Sequence, residues 1–373
     1  MTPFFRAIAL LSAAASTAAA SNITVPHLTG VFLALSDETA VWTAAEWAED
    51  LQAMADVGIE FFCIRGLAQG IHGPTPDCPL GRFRTYWPTK APGLLANNCS
   101  APVLPDAPDT VGRVLAEAAK LGLRVHLGGA FLADGPSAFH PGVLPNSTAF
   151  FQKYAWLQWE IYQDLWAQYG PANLAGFYTS LEESNDRRWL DVSSDLAGHF
   201  LEPLARDIKT KLPAVPPSFK VWASPSYEGN LTRDPAVDHM DPTIMGAFWN
   251  QVFQWAPHFD LVAPQDAMGA QGNSFANMTA YLSAIVSGSR AAGRSVWANV
   301  ELFEVWPPSC HWPTTCDGRH PAPIERIVAQ LANEAHLVDE VISWEWHSCL
   351  SPHGSTKATA VLYDAYKKYV LNR

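Results

Sequence analysis

What most restricts the fold of this chain is an alternation that runs its whole length. Apolar, β-rich runs of strand length are separated by amphipathic stretches of helical length. The strand-like runs are "LTGVFLAL" from Leu28, "GIEFFCIRG" from Gly58, "LRVHLGGAF" from Leu123, "LAGFYTSLE" from Leu174, "KVWASPS" from Lys220, "FDLVAPQDAM" from Phe259, "SVWANVELF" from Ser295 and "EVISWEWHS" from Glu340. Between and after them lie segments such as "TAAEWAEDLQAMADVG", "DTVGRVLAEAAKLG", "PIERIVAQLANEAHLV" and "TKATAVLYDAYKKYVL". Strands apolar on both faces need cover on both, which helices returning over a parallel sheet supply. About eight such units make one (β/α)8 barrel, a TIM barrel of the α/β class, with no room for a second domain. A doubly wound sheet would also alternate, but it usually has fewer units and a glycine-rich phosphate loop. Neither GxGxxG nor GxxxxGKS/T occurs.

The first twenty residues, MTPFFRAIALLSAAASTAAA, hold one Arg, an apolar stretch and a small-residue end. That is the layout of a secretory signal peptide cleaved before Ser21, leaving 21–373 as the barrel. No later apolar run reaches the roughly 20 residues that cross a bilayer. Five Asn-x-Ser/Thr sequons, at Asn22, Asn98, Asn146, Asn230 and Asn277, fit a glycosylated, secreted, extracellular protein. Six cysteines, an even number, suit the same oxidising route. Cys78 with Cys99, and Cys310 with Cys316, are expected as local pairs. Cys63 and Cys349 are either a third bridge or two buried thiols. The formal charge of -12 disfavours nucleic acid and anionic membranes as partners. No His/Cys spacing suits zinc, and neither metal nor cofactor is expected. We expect a monomer.

The segment after the second strand, from about Gly66 to Asp109, is rich in Pro, Gly and Cys and far longer than a usual connection. Loops that follow strands build the C-terminal face of a barrel, where active sites lie. A disulfide-stapled lid or cleft wall is one reading of it, and a decorative insertion the other.

Two strands end in carboxylates. The fourth finishes at Glu182 and Glu183, and the seventh reaches Glu301 in "WANVELFE". Period-2 alternation turns Glu182 inward with Tyr178 and Ser180, leaving Phe177, Thr179 and Leu181 to the helices. Glu183 is then expected on the rim or capping a helix. The same rule sets Trp297, Asn299 and Glu301 on one inner face. Two glutamates across a barrel mouth are the equipment of glycoside hydrolysis, one protonating the leaving oxygen and one ionised at the anomeric carbon. Asp266, beside Gln265 in "APQDAMG", either binds sugar hydroxyls, tunes a glutamate or merely forms a turn. Arg65, at the end of the second strand, pairs with a catalytic or a surface carboxylate. Glu345 rivals Glu301 if it faces inward beside Ser343 and His347. Trp297, Trp344 and Trp346 offer flat faces for sugar rings, and at least one of them is expected to be plain core.

Carboxylates at the ends of the fourth and seventh strands make the chain similar to the large clan of retaining TIM-barrel glycosidases. "GFYTSLEE", "APQDAMG", "WANVELFE" and "WTAAEWAEDLQAMADVGIEFFCIRG" resemble more closely a family of secreted TIM-barrel proteins catalogued as a domain of unknown function and related to glycosidases. The resemblance implies Glu182, Asp266 and Glu301 as the acidic positions. One departure is Leu181, where the clan usually has an Asn that binds the sugar 2-hydroxyl. The expectation is a secreted glycoside hydrolase acting on a neutral or basic polysaccharide or oligosaccharide, with Glu182 as acid/base and Glu301 as nucleophile. The alternative is a non-catalytic carbohydrate-binding or cell-wall barrel. A serine or zinc hydrolase fits poorly, since neither GxSxG nor HExxH occurs.

Overall fold

The computed structural model of the protein describes residues 25–72, 77–78, 81–96, 99–102, 109–132, 147–171, 174–229, 238–306, 318–354 and 356–372. The expected signal peptide, the Cys310–Cys316 pair and the sequons at Asn22, Asn98, Asn146 and Asn230 lie outside the described residues.

Eight strands form the barrel: β1 (Gly30–Ala34), β2 (Phe61–Arg65), β3 (Arg124–Gly128), β4 (Leu174–Tyr178), β5 (Lys220–Ala223), β6 (Leu261–Val262), β7 (Ser295–Glu301) and β8 (Glu340–Trp344). All pairings are parallel, and the sheet closes on itself where β1 meets β8. A principal helix follows each strand: α1 (Ala44–Asp56), α2 (Thr110–Leu121), α3 (Ser147–Tyr169), α4 (Glu202–Lys211), α5 (Pro242–Trp255), α6 (Phe275–Ala291), α7 (Ile324–Glu334) and α8 (Lys357–Val370). Local sequence sets several boundaries. Thr43 and Glu46 form a reciprocal cap at the start of α1. Asp241 caps α5, whose first residue is Pro242. Gly122 closes α2 at φ 71°, which costs glycine nothing and a side chain a great deal.

Alternation sorts the strands into two cores. Val31, Phe62, Val125, Phe177, Val221 and Val300 face the helices, whereas Phe32, Cys63, Tyr178, Trp222, Trp297 and Ile342 fill the barrel. The interior is a stack of tilted rings, with centroids 4.8 Å apart for Tyr178–Trp222 and 5.2 Å for Trp222–Trp297. One of its polar members is a histidine. His126 accepts a 3.0 Å hydrogen bond from the Trp222 indole N–H, and burial holds it neutral, its pKa lowered to about 3. The barrel axis is therefore solid, and a ligand can enter only above this floor.

The long connection after β2 carries a small sheet of its own. Ala68–His72 and Arg82–Thr85 pair antiparallel, Ser100–Pro102 adds alongside, and Ala130–Phe131 flanks the other edge. Cys78–Cys99 staples it, as expected. Cys63 and Cys349 are both buried free thiols. They sit on opposite sides of the barrel wall, Cys63 in the interior and Cys349 in the helical shell, so no third bridge forms.

Candidate active site

Strand β7 keeps its alternation to the end, placing Val296, Ala298 and Val300 outside and Trp297, Asn299 and Glu301 inside. Glu301 is only 3% exposed. Its Oε2 accepts backbone N–H groups from Gly269 at 2.8 Å and Ala270 at 2.7 Å, in the loop after β6. Glycine is needed there: a Cβ on Gly269 would lie 2.1 Å from the Phe303 carbonyl oxygen.

Behind Glu301 stands a buried acidic layer. Asp266 accepts the backbone N–H of Glu301 at 3.2 Å and that of Met268 at 3.1 Å, and it also accepts the Gln330 amide. Glu334, one turn further along α7, is fully buried near Asp266. Burial first, then the Asp266 charge, pushes the Glu301 pKa up to about 7, while the Ala270 N–H, Arg319 and Arg326 pull it down. Burial raises Asp266 as well, and burial with the Asp266 charge raises Glu334 further. Three carboxyls this close in a low dielectric cannot all ionise.

Strand β4 ends earlier than the sequence suggests. Regular pairing stops at Tyr178, and Ser180 takes φ 54°, which breaks the alternation. Glu182 still reaches the mouth, half-buried, and its carboxylate accepts no hydrogen bond among the described residues. Burial raises its pKa, opposed by the charges of Arg65 and then Arg319. Glu183 is not on the rim. It is wholly buried, and its two carboxylate oxygens have no hydrogen-bond partner among the described residues. Burial pushes its pKa up to about 8, the nearby backbone amide of Glu183 itself pulling the other way and the Glu182 charge adding to the rise.

Two guanidinium groups share the mouth. Arg65, at the end of β2, lies 4.9 Å from the Phe131 ring centroid and 4.3 Å from that of Trp344. Arg319 belongs to a hairpin, Phe303–Trp306 with Gly318–Pro321, that follows β7, and it covers the Phe303 ring at 4.3 Å. Burial lowers the Arg319 pKa, while the charges of Glu301 and Glu182 raise it, so it stands in the field of both acids. Sequence reasoning missed Arg319, because nothing in its neighbourhood marks that hairpin as folding back over the barrel.

Over residues 28–356 the sequence matches the family described as Domain of unknown function (DUF4434). The chain belongs to this family. None of the curated proteins matches it. Among solved structures, it superposes on a candidate alpha-L-fucosidase of Bacteroides thetaiotaomicron with a TM-score of 0.68 and 19% identity, covering 93% of this chain and 96% of that one. An endocellulase of Pyrococcus horikoshii aligns at TM-score 0.48 and 13% identity over 92% of each chain. An endo-1,4-beta-mannanase of Rhizomucor miehei aligns at 0.47 and 9%, over 93% of this chain and 95% of that one. At these identities the likeness is one of fold alone.

The remaining residues singled out from the DUF4434 sequence divide into floor, wall and outside. Tyr178 and Trp297 are buried in the aromatic floor. Asn299 donates to the Ser224 hydroxyl at 2.9 Å, and Gln265 to the Ser224 carbonyl at 2.9 Å. Both thereby tie β5, β6 and β7 together just above that floor. Glu345, Trp346 and His347 point elsewhere. On β8 the inward residues are Ile342 and Trp344, opposite in phase to the expected Ser343 and Glu345. Glu345 instead caps the turn Trp346–Leu350, accepting the N–H groups of Ala34, His347 and Ser348 and the Ser348 hydroxyl. Trp346 and His347 turn outward onto the buried Asp50 of α1, the indole N–H at 2.9 Å and the imidazole Nε2 at 2.9 Å. Of the three tryptophans considered as platforms, Trp344 is the half-buried one at the mouth. Among the described residues no group of three or more His, Cys, Asp or Glu is placed to hold a metal ion, and no helix is long and apolar enough to cross a membrane.

Proposed function

We propose that this chain is an exported glycoside hydrolase that cleaves a sugar chain by a two-glutamate retaining mechanism. The observation that carries the reading is the contrast between two acids, Glu182 in the segment beyond β4 and Glu301 at the end of β7, both in the field of Arg319. Glu301 has one oxygen fixed by two backbone N–H donors, which favour and orient its anion. Its other oxygen is left to approach an anomeric carbon. Glu182 has no such donors, and burial favours its protonated form, as a general acid needs. In the first step Glu182 gives its proton to the glycosidic oxygen as that C–O bond breaks and Glu301 bonds to the anomeric carbon. In the second, Glu182 takes a proton from water, whose oxygen displaces Glu301 and frees its carboxylate. Arg319 offsets the negative charge of the pair in both steps.

The test is a panel of polysaccharides and aryl glycosides given to the wild type, Glu182→Gln and Glu301→Gln. Each variant is expected to fold and to lose at least about a hundredfold in kcat/KM, and NMR of the first-formed sugar should show a retained anomer. Full activity in either variant would sink the assignment. Binding of glycans with no turnover by the wild type would favour the non-catalytic barrel.

A further inference from the structure

We infer that the sugar this site accepts carries an acidic group, a carboxylate or a sulfate ester, and that Arg65 receives it. The inference rests on the reading of the barrel mouth as a sugar site and adds the class of sugar. Several other arginines among the described residues are spoken for. Arg113 donates to the Ala40 and Trp42 carbonyls, Arg326 to those of Glu301 and Phe303, and Arg188 pairs with Asp186. Arg65 makes no hydrogen bond and no ion pair with the described residues. None of its nitrogens is buried without a partner, so its donors are not sealed inside the protein.

The position is nonetheless built. Inward alternation along β2, through Phe61 and Cys63, carries the side chain to the top of the floor. Phe131 and Trp344 then lie against the guanidinium. Both contacts are made by ring carbons, so they restrict where the guanidinium sits and use none of its N–H donors. A planar fork held this way suits two oxygens of one anionic group. Were Arg65 only the counter-charge of Glu182, direct contact would be expected, yet no carboxylate among the described residues comes within 4.0 Å of it. With Glu182 protonated for catalysis, Arg319 offsets the ionised Glu301, and Arg65 is left as the charge that an acidic sugar balances. An acidic sugar departs from the neutral or basic one expected from the sequence, and the formal charge of -12 does not bar it. That charge is spread over the whole chain, and salt screens it beyond about 8–10 Å.

Free monosaccharides test the idea without any glycosidic bond to cleave. Glucose, galactose and mannose are titrated calorimetrically into the full chain beside their C6 carboxylates and their 6-sulfates, at one ionic strength. In at least one set the acidic member should bind roughly ten-fold or more tightly than its neutral parent, and whichever acid leads identifies the group. Arg65→Met should erase that preference while the affinity for the neutral parent changes little. Arg65→Lys, which keeps charge but not the fork, should retain part of it and serves alone if Arg65→Met does not fold. Acidic sugars that bind no better than neutral ones in all three sets, or a preference unchanged in Arg65→Met or, when that variant does not fold, in Arg65→Lys, would overturn the inference. Because binding is read apart from turnover, an active hydrolase without acid preference sinks only this inference. Acid preference without hydrolysis sinks only the proposed reaction.

Discussion

At the scale of the residue, the site turns on how one carboxyl is kept available and another neutral. Glu301 lies in a layer of acids, and burial first, then the Asp266 charge, lifts its pKa to about 7. As a nucleophile it must be ionised, so kcat/KM should rise as pH climbs through about 7. That limb belongs to the coupled acids rather than to Glu301 alone. Asp266→Asn removes the neighbouring negative charge while keeping an oxygen for the Glu301 and Met268 amides. The ascending limb is then expected to move to lower pH, by up to about one unit. A pH–rate profile of the variant that overlays the wild type would remove Asp266 from the tuning of Glu301. Alternation along β7 made Glu301 legible in advance, because the strand is regular to its last residue. The sequence could not place Glu183, since Ser180 adopts a left-handed backbone and the period of two stops there.

At the scale of the element, the turn after β8 shows a carboxylate used for architecture. Glu345 accepts three backbone N–H groups and one hydroxyl, joining the end of β1 to the Trp346–Leu350 turn. Glu345→Gln keeps the shape but sets an amide NH2 against donors. It should cost about 1–3 kcal/mol of stability, with kcat/KM falling far less than in Glu301→Gln. Thermal denaturation beside a rate assay checks both, and an inactive but fully stable Glu345→Gln would restore its candidacy as a catalytic group. The phase of β8 was not readable because both of its faces are buried. A run such as "VISW" offers apolar residues to either side, and only packing against Phe32 decides which ones turn in.

At the scale of the whole molecule, burial of titratable groups links folding to pH. Glu183 has its folded pKa raised to about 8 from an ordinary 4.5. The folded state therefore holds this proton more tightly, and the stability it supplies is present at low pH and lost as pH rises through about 8. Glu301 acts in the same sense through about 7. His126, lowered from 6.5 to about 3, acts oppositely, but only as pH falls below 6.5. Between about pH 6.5 and 8 the raised acids are left unopposed by His126, and the melting temperature should decline across that window. Glu183→Gln should flatten the decline and stabilise the protein at pH 8, by a few kcal/mol at most. Scanning calorimetry at pH 6.5 and 8 settles it; an equal decline in wild type and variant would show that Glu183 titrates normally.

The chain by itself determined the barrel, because eight apolar runs interleaved with amphipathic segments leave few ways to bury both faces of every strand. It likewise determined the local Cys78–Cys99 staple and the inward ladder from Trp297 to Glu301, each of which depends on near neighbours. Only the tertiary structure decided which charged groups meet at the mouth. Arg319 arrives on a hairpin, Arg65 is framed by rings from Phe131 and β8, and Trp346 and His347 are drawn outward by Asp50 on α1. Those encounters join residues far apart along the chain, where no periodicity reaches, and they are fixed by how the loops and helices close over the barrel.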